Sequence, residues 1–220
     1  MKRHKFAVLV LSAGVGFMPA VAGTLNLSTG QDSNGNIISS GGVTDANWAV
    51  TQDATFDPTG TTQTVFPNNA DWFGGWVADS AASDWIGRNA SVTDNGPAPY
   101  TFSFTFDLAD TIGAAISGGW TIDDQGILLL NGNTIGTLGG GSWGALTNFS
   151  DNTQSDFNAG VNTLAITLTS DDRFLEGVNL AGSLTGDIGS ANTPEPATGL
   201  LLIAGAGLAA LIYRTKRVRV

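Results

Sequence analysis

The stretch that decides the fold is residues 100–108, Tyr-Thr-Phe-Ser-Phe-Thr-Phe-Asp-Leu. Large apolar side chains occupy every second position, and Thr, Ser and Asp stand between them. Because successive side chains of a β-strand point to opposite faces, this alternation packs one face inward and leaves the other in water. The stretch therefore predicts a strand of a half-buried sheet.

The same period of two recurs later in the chain. Its apolar positions are Leu164, Ile166 and Leu168 in one segment and Val178, Leu180 and Leu184 in another. Between them, residues 127–130 run into Asn131-Gly132-Asn133 and then Thr134-Ile135. Asn and Gly tolerate the positive φ of tight turns, so this segment predicts a hairpin.

Further short strands are expected near residues 24–27, 37–39, 48–51 and 62–66. No helical period of comparable length occurs, and 30 Gly with seven Pro favour many short elements joined by turns. We predict an all-β fold, a two-sheet β-sandwich of about eight to ten strands in one domain, residues 23–186.

The charges are unevenly distributed along the chain. Seven of the nine basic residues lie at the two ends, leaving Arg88 and Arg173 against 18 acidic residues between positions 23 and 193. An acidic surface repels phosphate backbones, so nucleic acid is excluded as a partner, whereas cations and neutral polymers are not.

The N-terminal residues 1–22 are typical of a secretory signal peptide. A basic start precedes an apolar run at residues 6–17, then Pro19 and Ala20-Val21-Ala22, an A-x-A cleavage site. The alternative is an uncleaved membrane anchor, but the apolar run is short for a bilayer. We expect export, with a mature chain that begins at Gly23 and contains no Cys and so no disulfide.

The C-terminal end has three parts in a fixed order. Pro194-Glu195-Pro196 precedes an apolar stretch at residues 197–213 and a basic tail at residues 214–220. Seventeen residues of helix span about 25 Å, enough for a transmembrane helix with interfacial anchors, and the positive tail places the domain outside the cytoplasm. Residues 187–193, rich in Gly, Ser and Asn, are expected to form a flexible linker.

This tripartite end resembles the PEP-CTERM sorting signal of Gram-negative bacteria over roughly residues 193–220. The resemblance implies recognition by an exosortase, removal of the helix, and transfer to the cell surface or the exopolysaccharide matrix. Pro194, Glu195 and Pro196 would then be recognition residues of a substrate. They are not catalytic groups of this protein.

The middle domain resembles the galactose-binding-like jelly roll over about residues 100–184. The motifs that carry the resemblance are Gly119-Trp120-Thr121-Ile122-Asp123-Asp124, Leu130-Asn131-Gly132 and Gly160-Val161-Asn162-Thr163-Leu164-Ala165-Ile166. The resemblance implies a jelly-roll-like sandwich. It supports the fold more than any ligand, since these motifs are mainly structural turns.

The residue inventory excludes several catalytic classes. The single His is His4, inside the signal peptide, and residues 23–193 contain neither Cys nor Lys. Ser-His-Asp hydrolysis, Cys nucleophiles, lysine Schiff bases and His or Cys zinc sites therefore lack a required residue.

Carboxylates remain, as a glycosidase pair or as calcium ligands. The candidates for the pair are Asp123, Asp124, Asp171, Asp172 and Glu176. Asp123 and Asp124 are the preferred calcium ligands, and calcium is the one cofactor considered.

Six Trp in an acidic exported domain suggest carbohydrate binding, because indole faces stack on sugars. Trp48 and Trp120 lie in strand-like context and are expected in the core. The other four, Trp72, Trp76, Trp85 and Trp143, fall in Gly- and Asp-rich segments where exposure is an option. The candidate sugar contacts are Trp85, Arg88 and Trp143. The alternatives are core packing for the two Trp side chains and a structural ion pair for Arg88.

The sequence favours a non-enzymatic surface or matrix protein whose partners are the secretion machinery, an exosortase, the membrane before processing and, as an option, exopolysaccharide. A purely structural matrix or adhesion protein is one alternative. A carboxylate-dependent glycosidase is the other.

Overall fold

A computed structural model describes residues 22–52, 63–66, 75–88, 99–169 and 175–189. The expected signal peptide, transmembrane helix and Pro194-Glu195-Pro196 motif lie outside these residues. Within them there is no helix with the length and hydropathy of a membrane span.

The described residues form eleven strands and two short 3₁₀ turns, at Ser142–Gly144 and Gln154–Asp156. The strands are β1 Gly23–Asn26, β2 Trp48–Gln52, β3 Gln63–Phe66, β4 Trp85–Gly87, β5 Tyr100–Leu108, β6 Ala115–Asp123, β7 Gln125–Leu130, β8 Asn133–Leu138, β9 Thr147–Asp151, β10 Gly160–Thr169 and β11 Gly177–Gly186. The described residues thus contain eleven strands, whereas the sequence predicted about eight to ten.

Two antiparallel sheets pack face to face. One has six strands, in the order β3-β4-β11-β6-β9 with β1 also paired to β11, and the other has five, in the order β2-β5-β10-β7-β8. Successive strands belong to different sheets except in the pairs β3–β4 and β7–β8. The predicted all-β, jelly-roll-like sandwich is confirmed.

The alternating side chains of β5, β7, β10 and β11 form the core between the sheets. In β5, Tyr100, Phe102 and Leu108 are at most 1% exposed, and in β10 Leu164, Ile166 and Leu168 are fully buried. Trp48 and Trp120 lie in the same core, as expected. Trp48 packs edge-to-face on Phe104 with ring centroids 5.7 Å apart, and its Nε1 donates to Leu27 O at 3.1 Å.

Two asparagines of the resemblance motifs join the core strands at one end. Asn131, in the β7–β8 turn with φ +51°, donates from Nδ2 to Asn162 Oδ1 at 2.7 Å and accepts from Thr163 N at 2.9 Å. Asn162 is fully buried and donates from Nδ2 to Asn158 O and Gly160 O, each at 2.8 Å. These motif residues therefore hold turns.

Three features of the sequence prediction are corrected. Residues 37–39 are not a strand, because the chain turns at Asp32–Asn36 and Ile37 makes only an isolated bridge to Gln31. Strands β4, β6 and β9 were not among the predicted strands, although Trp120 of β6 was placed in strand-like context. The start of the expected linker is bound to the domain: Asp187 O accepts from Ala109 N at 2.8 Å, and Gly189 N donates to Asp107 O at 3.0 Å.

Candidate functional site

An aromatic cluster covers the outer face of the six-stranded sheet where β6 ends and β11 begins. Asp123 of β6 is paired with Gly177 of β11 at this place. The neighbouring pair Val178 and Ile86 points into the core, so Gly177 and Trp85 face outward. The tryptophan cluster consists of Trp76, Trp85 and Leu175, which are buried, and Val77 and Trp143, which are partly buried.

Trp76 and Trp85 stack at the centre of the tryptophan cluster. Their ring centroids are 4.1 Å apart and their planes differ by 24°. Trp85 Nε1 donates to Val77 O at 2.8 Å, so its polar edge is satisfied internally. A Cβ on Gly177 would lie 3.1 Å from Trp85 and 3.2 Å from Trp76, which shows how closely the rings approach the β11 backbone.

A carboxylate closes one side of the tryptophan cluster. Asp123 is 7% exposed, and its Oδ2 accepts a hydrogen bond from Trp76 Nε1 at 2.6 Å. The bond therefore fixes the Trp76 ring against the end of β6.

Trp143 lies at the solvent side of the tryptophan cluster, in the 3₁₀ turn Ser142–Gly144. Its carbonyl accepts from Val77 N at 2.7 Å. The turn is bound to β6, because Thr121 Oγ1 donates to Ser142 O at 2.6 Å and Ser142 Oγ donates to Ile122 O at 3.1 Å. The indole of Trp143 is thus held on a fixed backbone and remains partly exposed.

The expected exposure of Trp85 is wrong. Its segment forms β4 rather than a loop, and the indole is fully buried because Trp76 stacks on it and Val77 covers its edge. Trp76 is also buried. Only Trp143 of the described loop tryptophans keeps a partly exposed face, and Trp72 lies outside the described residues.

The remaining candidates are dispersed. Arg88 is half-buried, with its guanidinium carbon 5.5 Å from the centroid of the Tyr100 ring, a cation–π contact with the other sheet. Asp124 is half-buried in the connection between β6 and β7. Glu176 is 3% exposed next to Gly177, and Asp171 and Asp172 lie outside the described residues.

Metal binding was expected at Asp123 and Asp124. Across the described ranges, no group of three or more His, Cys, Asp or Glu side chains is placed to hold a metal ion. One oxygen of Asp123 is already bound by Trp76.

A groove of about 460 Å³, lined by Ser, Asn, Gln, Gly and Ala residues, lies on the same outer face, toward β1. Ser117 and Ser183 form part of its floor, Asn26 lines one side, and Ala81 and Ala82 form a wall from the loop before β4. Every residue that lines this outer-face groove is uncharged. The groove is therefore a neutral region in an otherwise acidic domain.

Sequence reasoning missed three buried or half-buried acids beside this groove, namely Asp45, Asp79 and Asp84. The signal for Asp45 was present in the Gly- and Asn-rich segment around it, since an Asp side chain in a turn commonly accepts from the backbone N–H two residues on, as it does here from Asn47 N. Nothing in the local sequence indicated that Asp84 would be buried.

Comparison with known proteins finds a sorting motif in the tail. Residues 192–217 match the family described as the PEP-CTERM protein-sorting motif. The chain therefore carries this motif, as the sequence resemblance implied. The comparison with curated proteins gives no match.

Similar solved structures include carbohydrate-binding modules and part of an enzyme. A family 35 carbohydrate binding module from Clostridium thermocellum is 13% identical, with a TM-score of 0.31 over 49% of this chain and 82% of that one. One from Cellvibrio japonicus is 13% identical, with a TM-score of 0.34 over 75% and 92%. The Ruminococcus gnavus β-glucuronidase is 11% identical, with a TM-score of 0.36 over 77% of this chain and 30% of the enzyme. At these TM-scores the fold assignment rests on the strand order of the protein itself.

Proposed function

We propose that the protein is the non-enzymatic substrate of an exosortase, exported as a membrane-anchored precursor and delivered to the surface or exopolysaccharide matrix of a Gram-negative bacterium. The match of residues 192–217 to the PEP-CTERM protein-sorting motif carries this proposal. The A-x-A site at Ala20-Val21-Ala22 is the expected cleavage site of a signal peptide for export. The apolar stretch at residues 197–213 is the expected membrane anchor.

Replacement of Pro194, Glu195 and Pro196 by alanine tests the sorting. The variant should remain unprocessed in the inner membrane, whereas a Ser190→Ala control outside the matched segment should be sorted like the wild type. Fractionation and immunoblotting measure the distribution. Equal delivery of both variants to the surface would exclude a role of the motif in sorting.

The domain's proposed activity is binding of a neutral polysaccharide on the outer face of the six-stranded sheet. Trp143 supports this activity, since it presents a partly exposed indole on a turn fixed by Thr121 and Val77. Aromatic faces held rigidly are suited to stacking on sugar rings. The uncharged groove supplies the hydroxyl groups of Ser117 and Ser183 and the amide of Asn26 on the same face.

Glycan binding by the full-length protein in detergent tests this activity. Trp143→Ala should weaken binding at least tenfold, while Ile112→Ala, which removes a 76% exposed apolar side chain elsewhere, should leave it unchanged. Equal loss in both variants would argue against a site at Trp143. If the wild type binds no glycan of the exopolysaccharide matrix of its own bacterium, a purely structural matrix or adhesion role would be favoured.

The glycosidase alternative needs two carboxyl groups on either side of a sugar. Asp123, one of the candidate catalytic acids, is buried and accepts a hydrogen bond from Trp76. It therefore has a structural role. Turnover of a glycoside by the wild type, abolished in a folded Asp124→Asn variant, would establish this alternative in place of the non-enzymatic role.

A further inference from the structure

A row of short polar side chains crosses the outer face of the six-stranded sheet and enters the outer-face groove. Asn26 of β1 is paired with Ser183 of β11, Ser183 with Ser117 of β6, and Ser117 with Ser150 of β9. Directly paired residues point to the same face of a sheet, with Cβ atoms about 5 Å apart. The first three side chains line the groove, and Ser150 lies outside it. The strand pairing therefore fixes three polar side chains next to one another in the groove.

The fold leaves hydrogen-bonding groups of these side chains unused. The hydroxyl groups of Ser117 and Ser183 and the Nδ2 of Asn26 form no hydrogen bond with the described residues. Ser28, which also lines the groove, accepts at Oγ from Gly182 N at 3.2 Å, and its hydroxyl proton has no acceptor among the described residues. Each of these side chains can therefore bond to a ligand without breaking a bond of the fold.

Gln31 lines the groove with an acceptor that the fold does not use. The residue is 3% exposed, and its backbone is held because its N donates to Asp45 Oδ2 at 3.3 Å and its O accepts from Ala46 N at 3.0 Å. Its Nε2 donates to Ala82 O at 3.4 Å, whereas its Oε1 accepts from no donor of the described residues. A Cβ on Gly35, another residue of the groove, would lie 3.9 Å from this Oε1. Because an unpaired acceptor in a nearly buried side chain is unfavourable, a ligand that brings a donor to Oε1 gains affinity.

The lining of the groove distinguishes between classes of ligand. The described residues that line it include no charged and no aromatic side chain. An anion is disfavoured, since residues 23–193 contain 18 acidic side chains and two basic ones. A hard cation requires several carboxylate or carbonyl oxygens, whereas this groove also presents donors. Hydroxyl and amide groups both donate and accept, as the hydroxyl groups of a sugar do. The volume of about 460 Å³ is within the usual range of about 300–1,000 Å³ for small-molecule sites.

We propose that the outer-face groove is a self-contained site for a neutral sugar unit, recognised by hydrogen bonds to its hydroxyl groups, and that Gln31 selects ligands that donate to its Oε1. This inference rests on the proposed polysaccharide binding and names a specificity determinant for it. The groove differs in kind from Trp143, because Trp143 offers a ring for stacking and the groove offers polar groups on short side chains. Sugars with alkylated hydroxyl groups or with carboxylates are therefore rejected by the groove.

Binding of three probes to the full-length protein in detergent tests the selectivity. The probes are oligosaccharides released from the matrix polysaccharide of the bacterium: a neutral fraction and an acidic fraction separated by anion exchange, and the neutral fraction after O-methylation. The wild type should bind the neutral oligosaccharides and bind the other two probes at least about tenfold more weakly. Equal binding of the neutral and the O-methylated oligosaccharides would overturn the proposal.

Removal of the unused hydroxyl groups tests the location of the site. The double variant Ser117→Ala and Ser183→Ala should bind the neutral oligosaccharides about tenfold more weakly, because two hydrogen bonds to the sugar are lost. It should melt like the wild type, since neither hydroxyl bonds to the described residues. Ser150→Ala, in the same row but outside the groove, is the matched control and should bind like the wild type. Equal binding by the double variant and the control would overturn the proposal.

Gln31→Met tests the specificity determinant. It keeps the backbone bonds and the approximate side-chain volume but removes Oε1, so it should bind the neutral oligosaccharides about tenfold more weakly. Wild-type affinity in this variant would overturn the role of Gln31. If the variant does not fold, the O-methylated probe still tests whether the ligand has to supply a donor.

The outcomes separate the groove from the proposed polysaccharide binding. If Trp143→Ala abolishes binding and the groove variants leave it unchanged, the groove is overturned and the polysaccharide binding stands. If the wild type binds none of the three probes, both are overturned.

Discussion

Trp120 and Trp85 are both buried to within 1%, yet they belong to two regions built in different ways. Trp120 lies between the two sheets, paired with the buried Leu180 of β11. Trp85 lies on the outer face of the six-stranded sheet and is covered by Trp76, Val77 and the turn that carries Trp143. The interior is formed by strand residues, whereas the tryptophan cluster joins Trp85 of β4 to residues of three separate loop segments. We therefore expect stability to depend mainly on the interior and ligand binding on the tryptophan cluster.

The largest effect should come from the interior. Trp120→Ala should lower the free energy of unfolding by about 3–5 kcal/mol, because it leaves a cavity that the sheets cannot close. Gly136 already lies close to the indole, since a Cβ there would be 3.2 Å from it. Urea denaturation measures the change, with the exposed Ile112→Ala expected within about 0.5 kcal/mol of the wild type. Equal midpoints for both variants would contradict the assignment of Trp120 to the core.

The asparagine pair should come next. Asn162→Ala should lower the free energy of unfolding by about 2–4 kcal/mol, because Asn131 Nδ2, Asn158 O and Gly160 O would lose a buried partner. Asn133→Ala, at an exposed position two residues from Asn131, is the control and should have little effect. A shift no larger than that of Asn133→Ala would show that the network does not stabilise the fold.

The smallest effect on stability should come from the tryptophan cluster. Gly177→Ala places a methyl group against Trp85 and Trp76 and should lower the free energy of unfolding by about 1–2 kcal/mol while changing the near-ultraviolet circular dichroism of the stacked rings. Gly139→Ala, where a Cβ meets nothing within 4 Å, is the control. An unchanged aromatic spectrum in Gly177→Ala would contradict the close packing of the rings on β11.

The same contrast explains how much the sequence could predict. β5, β10 and the β7–β8 hairpin were predictable because their periods of two and the Asn131-Gly132 turn are local signals. β6 was not, because Ser117-Gly118-Gly119 interrupts its alternation. Gly118 is small for a reason that no local pattern shows: a Cβ there would lie 2.3 Å from Ala181 O across the sheet.

The tryptophan cluster could not be assembled from the sequence at all. It joins residues 75–77, 85, 142–144 and 175, and no periodicity links them. Glycine- and aspartate-rich surroundings suggested exposure for Trp85, but a partner from a separate segment covers it. The burial of Asp84 is a tertiary feature of the same kind. The tail motif, by contrast, is defined by order along the chain and was predictable from it.

In this account the C-terminal motif directs the protein to the cell surface, and the β-sandwich domain binds the polysaccharide. The mass of the mature C-terminus tests the central claim of exosortase processing most directly. Mass spectrometry of protein released from the wild-type cell surface should find a chain that lacks the apolar stretch and basic tail, residues 197–220. Detection of residues 197–220 intact on the released protein would contradict it.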